Sequence, residues 1–208
     1  AGVGYFDVNQ RSGWRWSSSK AFLRPARGRP NLTIWTEAQA QKLTWSTADN
    51  GQPRCSGLSL SRAGQTVQVT ANREVILSAG AINSPQILQL SGIGPADLLR
   101  SHGIEVIRDA LVGENLQDHL QIRAVFKVNG TQTLNTLANS LFGRLKIGAE
   151  YLLNRSGPMS MSPSQLGAFT RSDPARPHAN LEYHVQPLSL EAFGEDLHDF
   201  PAITVSVC

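Results

Sequence analysis

The segment over residues 80–95 restricts the fold of this 208-residue chain more than any other part of it. It follows an apolar run, Val75-Ile76-Leu77, which predicts a short buried strand. The next residues, Ser78-Ala79-Gly80, are small and would let the backbone approach a ligand closely. The tripeptide Asn83-Ser84-Pro85 offers two candidate N-caps and a proline for the first helical position, and Gly92 would end that helix. A strand, small residues and a capped helix in this order are typical of nucleotide-binding crevices in α/β proteins.

Alternating polar and apolar residues predict further strands before residue 118. Extended segments around residues 31–35 and 43–45 are separated near 37–39, and Leu58-Ser-Leu-Ser and Val67-Gln-Val have the pattern of half-buried strands. Hairpin turns are expected at 49–51 and 63–65. A short helix over 95–100 and a brief strand over 104–107 follow the 80–95 segment.

After residue 118 the pattern changes to longer strands and one long helix. Leucines at helical spacing predict an amphipathic helix over about residues 136–153, with Asn135 as its cap. Strands are predicted over 121–128, 166–170, 181–185 and 203–207, whereas residues 1–30 have the composition of a loop with a short helix over 18–23. The order predicts an α/β layer in the first half of the chain and an α+β layer in the second.

Composition narrows the class of protein. Hydrophobic residues make up 40% and charged residues 17%, as in a globular chain, and no apolar stretch approaches the roughly 20 residues that a membrane helix needs. Two cysteines, Cys55 and Cys208, are too few for a disulfide framework and lack metal-ligand spacing, so no metal site is predicted. The first residue is not Met and the last follows an alternating apolar run, so we expect the chain to belong to a longer polypeptide.

Basic residues are concentrated in the first thirty positions, with Trp14 and Trp16 among them and Asp7 as the single acidic residue. Arginines interleaved with aromatic residues can bind single-stranded nucleic acid. The alternative is an irregular segment that packs its tryptophans against the rest of a larger protein and leaves its arginines in solvent. We prefer this alternative, so no nucleic-acid partner is predicted. The basic residues are Arg11, Arg15, Lys20, Arg24, Arg27 and Arg29.

The 80–95 segment also meets a longer spaced pattern: Gly, small, two free, Ser-Pro, two free, two aliphatics, two free, Ser-Gly-aliphatic-Gly. With this pattern the chain resembles the glucose–methanol–choline (GMC) family of flavin-dependent alcohol oxidoreductases, and its choline dehydrogenase-like members most of all. An ordinary strand–turn–helix would explain Asn83-Ser84-Pro85 but not the whole spaced set. Three further segments are similar to family segments: Arg29-Pro30-Asn31-Leu32-Thr33, Val112-Gly-Glu-Asn-Leu-Gln-Asp-His119 and Asn180-Leu-Glu-Tyr-His184.

The resemblance implies part of an FAD-binding Rossmann-like domain over residues 1–118, joined to part of a sheet-and-helix substrate-binding domain over 119–208. It implies FAD as cofactor, a small-molecule primary alcohol as substrate, and hydride transfer from the alcohol carbon to the flavin. The family's Gly-x-Gly-x-x-Gly loop and its C-terminal His pair or His/Asn pair do not occur in this sequence. No catalytic residue is therefore predicted here, and the 208-residue chain alone is expected not to turn over substrate. A non-catalytic binding domain of the same architecture remains the alternative.

The resemblance places five residues near the cofactor. Ala40 would contact the adenine through its main chain, and its alternative is an ordinary small strand residue. Ser78, Ala79 and Gly80 would lie against the cofactor, and their alternative is tight helix–strand packing. Asn115 lies in a segment that borders the flavin in the family, although its side chain could instead tie a loop, as could that of Asp118. His119 could donate a hydrogen bond from behind the site or be an ordinary loop histidine.

Two further residues are predicted in a substrate pocket. His184 matches a strand position that holds a pocket histidine in choline-oxidising relatives, and alternation puts Glu182 on the same face. Gln165 stands where choline-specific relatives have a glutamate facing the trimethylammonium group, and a neutral amide does not supply that charge. We therefore expect an uncharged alcohol rather than choline as the preferred substrate, unless Glu182 supplies the missing charge.

Overall fold

The computed structural model describes residues 1–192 and 194–208. It divides into two compact units, one formed by Thr33–Asp118 and the other by Ala1–Leu32 together with His119–Cys208. The division after residue 118 coincides with the boundary expected from the sequence. Residues 1–32 cluster with the second part of the chain, whereas the sequence analysis grouped them with the first.

The elements are named in chain order. The strands are β1 Gly2–Tyr5, β2 Gln10–Arg11, β3 Trp14–Arg15, β4 Ala38–Thr47, β5 Pro53–Arg62, β6 Gln65–Thr70, β7 Ile93–Gly94, β8 Arg108–Asp109, β9 Ile122–Lys127, β10 Leu166–Thr170, β11 Leu181–Gln186 and β12 Ala202–Val207. The helices are α1 Arg24–Ala26, which continues a π-helical turn over Ser19–Leu23, α2 Gly80–Leu90, α3 Ala96–Ser101, α4 Leu134–Ala138 and α5 Leu141–Asn154, followed by a 3-10 turn over Pro158–Ser160. The chain is thus a mixed α/β structure.

The unit Thr33–Asp118 is built on an antiparallel meander of β4, β5 and β6. The predicted hairpin turns are confirmed: residues 48–52 join β4 to β5, and Ala63-Gly64 joins β5 to β6 with φ values of 50° and 75°. Two positive φ values suit the right-handed twist of a two-residue hairpin. The helix α2 lies against β4, and the buried side chains Leu43, Leu60, Ile87 and Leu99 form the core of this unit.

The predicted start of α2 is wrong by about one turn. The helix begins at Gly80, not at Asn83 or Ser84, and Pro85 lies inside it. Gly80 has a φ of 89°, a conformation open to glycine, and this turns the chain into the helix early. The Ser84 hydroxyl reaches back to accept a hydrogen bond from the Ala79 amide (2.9 Å). The predicted end of the helix before Gly92 is confirmed.

Three predicted strands of this unit do not form. Residues 75–77 are irregular, with Ile76 79% exposed, and residues 31–35 and 104–107 are irregular as well. The strand near the last of these segments is β8, which begins at Arg108 and pairs with β7 in parallel. Its pairing is extended by the Gly92 carbonyl, which accepts the amides of Ile107 and Arg108. A strand requires a neighbour for its ladder, and within the described residues none pairs with 75–77.

The second unit contains a five-stranded antiparallel sheet in the order β1-β10-β11-β12-β9. The four strands predicted after residue 118 are confirmed with small changes at their ends. The edge strand β1 was predicted to be loop, because residues 1–30 contain Gly, Ser and Pro and lack a sustained period. Pairing with β10 supplies the partner that the local sequence does not reveal.

The predicted helix over 136–153 is two helices, α4 and α5, separated at Asn139 and Ser140. Ser140 caps α5 by accepting the Gly143 amide (2.9 Å). The prediction of Asn135 as a cap is wrong, because its side chain is fully buried and binds Ser189 and the His198 carbonyl. Among the described residues, no helix has both the length and the hydropathy to cross a bilayer.

Candidate functional site

The Ser91 side chain ties the end of α2 to β4. Its hydroxyl accepts the Leu43 amide (2.7 Å) and donates to the Ile87 carbonyl, while the Trp45 indole N–H donates to the Ser91 carbonyl (2.8 Å). Ser91 is 6% exposed, so these bonds lie in the core of the unit. The serine in the Ser-Gly-aliphatic-Gly part of the pattern therefore has a structural function.

The glycines that follow Ser91 are explained by close packing. Gly92 has a φ of 88°, and a Cβ there would lie 2.5 Å from the Glu105 carbonyl oxygen and 2.7 Å from the Ile107 side chain. A Cβ on Gly94 would lie 3.0 Å from the side chain of Gln89. Both glycines are packed too closely to accept a side chain without a shift of their neighbours, although a cleft of about 500 Å³ lies beside Ser91 and Gly92.

The opposite end of α2 is open. Ser78, Ala79 and Gly80 are exposed, and a Cβ on Gly80 would meet no described atom within 4 Å. Tight packing against a strand, the alternative considered for these residues, is not observed in the described part of the chain. The predicted cofactor-binding residues thus lie where a ligand has room to approach.

A groove of about 520 Å³ runs between α2 and the loop 113–117. The Gln89 amide fixes this loop by donating to the Val112 carbonyl (2.7 Å), and Gly113 passes over it with a φ of 89°. Asn115 lines the groove with a φ of 56°, and its side-chain oxygen accepts the Gln117 amide (2.9 Å). Asn115 therefore borders the groove and also ties its own loop.

Ala40 lies at an irregularity of β4. Its register partner is Leu60, but Lys42 pairs with Ser59, so Gln41 is an extra residue in a bulge. Bulges bend a strand and leave backbone groups outside the ladder. Ala40 is half-buried and does not line the groove of α2, and Asp118 and His119 are exposed and lie outside it too.

In the second unit, His184 lies in the middle of the five-stranded sheet. The register places Gly4, Gly167, His184, Ser206 and Arg123 side by side in one row across the strands. Ser206 is 1% exposed, so the row is covered at β12, whereas Gly4 at its other side is exposed. The opposite face carries apolar side chains that remain open, such as Val3, Tyr5 and Ile122.

His184 contacts two side chains directly. Its Nε2 atom lies 3.1 Å from Oε1 of Glu182, and both side chains are about 30% exposed. The predicted sharing of one face by these residues is confirmed. The Phe6 ring lies 5.1 Å from the imidazole, centroid to centroid, and rests on Gly167, where a Cβ would meet it at 2.1 Å.

Gln165 lines a cleft of about 160 Å³ with Tyr5, Phe6 and Met161. Its side-chain amide nitrogen lies 2.9 Å from the Met161 sulfur, and its backbone carbonyl accepts the Phe6 backbone amide (2.9 Å). Among the described residues, none that lines this cleft is charged. Phe6 therefore connects the two predicted pocket residues, since it contacts both Gln165 and His184.

A second cleft of about 570 Å³ shares Val8, Gln10, Ser160, Met161 and Ser162 with the first. Trp14 lines it and is in contact with Arg155, whose guanidinium lies 4.5 Å from the ring centroid, and with Lys20 at 5.6 Å. These cation–π contacts occupy part of the Trp14 ring, which remains 46% exposed.

Sequence reasoning missed Phe6, Met161 and the close contact of Glu182 with His184. The signal for Phe6 was weak, because residues 1–30 lack a sustained period. Met161 lies in a Ser-, Pro- and Met-rich stretch over 157–164, whose sequence carries no helix or strand period. In the described residues, no cluster of three or more His, Cys, Asp or Glu could hold a metal ion.

Comparison with known proteins gives a consistent result. The family model described as GMC oxidoreductase matches residues 1–121, which is more than half of the chain. An alcohol dehydrogenase [acceptor] of Pseudomonas putida is 37% identical over 211 residues, and the mitochondrial choline dehydrogenase of Homo sapiens is 39% identical over 187 residues. These alignments cover 100% and 89% of this chain but only 37% and 30% of the two relatives.

Solved structures agree at the level of the fold. An FAD-dependent oxidoreductase from Chaetomium thermophilum superposes with a TM-score of 0.74 at 21% identity. The superposition covers 99% of this chain and 42% of that one. The chain therefore spans a minor part of the length of the proteins that it matches.

Proposed function

Because the chain belongs to the GMC oxidoreductase family, we propose that it is the central part of an FAD-dependent enzyme that oxidises a primary alcohol. When bound, FAD accepts a hydride from the alcohol carbon. The residues of this chain bind and orient the cofactor and the substrate. The family's C-terminal His pair or His/Asn pair does not occur in this sequence, so we expect no turnover by the 208-residue chain alone.

The open end of α2 is the observation that carries this proposal. Ser78, Ala79 and Gly80 present exposed small residues, and the adjoining groove has Asn115 on its far wall. These features fit a flat, extended ligand that approaches main-chain atoms closely. In this proposal Ala40 contacts the adenine through its main chain, next to the bulge at Gln41.

We further assign residues 1–118 to a partial FAD-binding domain and residues 119–208 to a partial substrate-binding domain. One change accompanies this assignment, since residues 1–32, which include β1, cluster with the substrate-binding part. His184 and Gln165 would then face substrate from that sheet and from the cleft beside it.

The cleft at Gln165 favours an uncharged alcohol over choline. Its lining residues, among those described, carry no charge to attract a trimethylammonium group, and the Gln165 amide is in contact with the Met161 sulfur. Glu182 does not compensate, since its carboxylate lies against His184 and it does not line the cleft. A lining of uncharged side chains, some apolar and some with hydroxyl or amide groups, suits the carbon chain and the hydroxyl of a neutral alcohol.

The experiment is anaerobic reduction of the purified full-length protein. We expect bound FAD, seen by its visible absorption, to bleach with neutral primary alcohols at lower concentration than with choline. The Gln165→Glu variant should narrow that difference. FAD that binds but is reduced by no alcohol would favour the non-catalytic alternative, and preference of the wild type for choline would contradict the substrate assignment.

A further inference from the structure

We propose that Glu182 is a positioning residue that fixes the proton of His184 on Nε2 and leaves Nδ1 to accept a hydrogen bond from the substrate hydroxyl. This inference rests on the proposed function for its substrate. Its structural part concerns two side chains of one strand and stands by itself.

The backbone holds the two side chains on one face. Residues two apart on a strand point to the same side of the sheet, and β11 is the central strand of five. His184 is paired with Gly167 on one neighbour and Ser206 on the other, so its backbone is fixed from both sides. Glu182 Oε1 lies 3.1 Å from His184 Nε2, an ion-pair distance at which an unprotonated nitrogen lone pair would be repelled by the carboxylate.

The imidazole is also held from its side. Phe6 lies 5.1 Å from it, and this position exists only because residue 167 is glycine. The same phenylalanine lines the cleft of Gln165. The ring orientation of His184 is thus set by a carboxylate at one nitrogen and by an aromatic neighbour that borders the candidate substrate cleft.

The chemistry follows from the donor and acceptor capacity of each group. An ionised carboxylate only accepts hydrogen bonds, so the nitrogen facing Glu182 must carry a proton. In a neutral imidazole the other nitrogen is then an acceptor. Nδ1 is then the acceptor that the imidazole would offer to the hydroxyl of an alcohol in the proposed pocket.

The same unit offers a matched control. His198 has a carboxylate neighbour too, since Glu191 lies 3.5 Å from its Nε2, but the Glu191 side chain is 84% exposed. Glu191→Gln removes a carboxylate from a histidine in the same unit without touching β11. It is expected to leave alcohol oxidation unchanged.

The first readout is kinetic, in the full-length enzyme. We expect Glu182→Ala to lower kcat roughly 10- to 100-fold, as loss of an orienting partner does elsewhere, with a smaller change in KM. Glu182→Gln should restore most of kcat, because its amide oxygen still accepts the Nε2 proton. FAD absorption and thermal unfolding monitor folding of each variant. A Glu182→Ala enzyme with wild-type kcat would overturn the inference.

The second readout needs no activity. Nitrogen NMR of the full-length protein labelled at histidine, with His184→Gln to assign the signal, reports which imidazole nitrogen carries the proton. We expect Nε2–H in the wild type and a mixture of tautomers in Glu182→Ala. An Nδ1–H signal in the wild type would refute the inference. Failure of every alcohol to reduce the flavin, with the Nε2–H signal present, would instead refute the proposed function alone.

Discussion

The two ends of α2 differ although one sequence pattern covers both. At the C-terminal end, Ser91 and Gly92 are held against β4 and residues 105–107 by hydrogen bonds and close contacts, and a cleft of about 500 Å³ lies beside them. At the N-terminal end, Gly80 has the same positive φ but open space around it. The comparison teaches that one pattern combines residues that hold the helix against the strand, Ser91 and Gly92, with a residue that leaves room for a ligand, Gly80.

Gly92→Ala should disrupt the C-terminal end of α2 most severely. A Cβ would meet the Glu105 carbonyl at 2.5 Å in a backbone conformation that disfavours L side chains. We expect a loss of about 3 kcal/mol or more in the free energy of unfolding. Urea unfolding of the full-length protein measures it, and a variant as stable as the wild type would show that the corner can relax.

Ser91→Ala tests how much the hydrogen bonds of the Ser91 hydroxyl, without any steric change, stabilise the C-terminal end of α2. The Leu43 amide would lose its acceptor inside the core, at a cost of about 1–3 kcal/mol. Hydrogen exchange should become faster at the Leu43 amide before other amides of β4. Unchanged protection there would mean that water replaces the hydroxyl and that these hydrogen bonds are weaker than their geometry indicates.

Gly80→Ala tests the N-terminal end of α2 and is compared with Gly92→Ala in stability and in FAD content. The positive φ costs about 1–2 kcal/mol, but no described atom opposes the new methyl group. Stability should therefore fall less than in Gly92→Ala, whereas the fraction of protein purified with FAD should fall more. If FAD content is unaffected while stability drops, the open end does not serve the cofactor.

Ser84→Ala is expected to have the smallest effect. Its hydroxyl accepts the Ala79 amide at an exposed helix start, and removal of such a bond costs about 1 kcal/mol or less. A shift in melting temperature smaller than that of Ser91→Ala would support the contrast between the two ends. Equal shifts would contradict it.

The sequence predicted the elements whose determinants are local. Alternation identified the meander strands and four strands of the larger sheet, and turn residues located both hairpins. The segment 75–77 failed because an apolar run becomes a strand only beside a partner, and none of the described strands is one. The break at Ser140 was missed because leucines keep their helical spacing across it.

The candidate site was less predictable than the fold. His184 and Glu182 were expected on one face, since strand alternation is local. Phe6 could not be connected to them, because its contact depends on β1 pairing with β10 and on the absent side chain of Gly167. Contacts between residues far apart in sequence leave no periodic mark in either segment.

The Ser91 hydroxyl has a mechanical consequence. It accepts a hydrogen bond from the Leu43 amide, on the strand that contains Ala40. It also donates to the Ile87 carbonyl, on the helix that begins at Gly80, so the strand and the helix are held in a fixed relative position. A molecule resting on both would meet a rigid, pre-organised frame. Little chain entropy would then be lost when it settles into place.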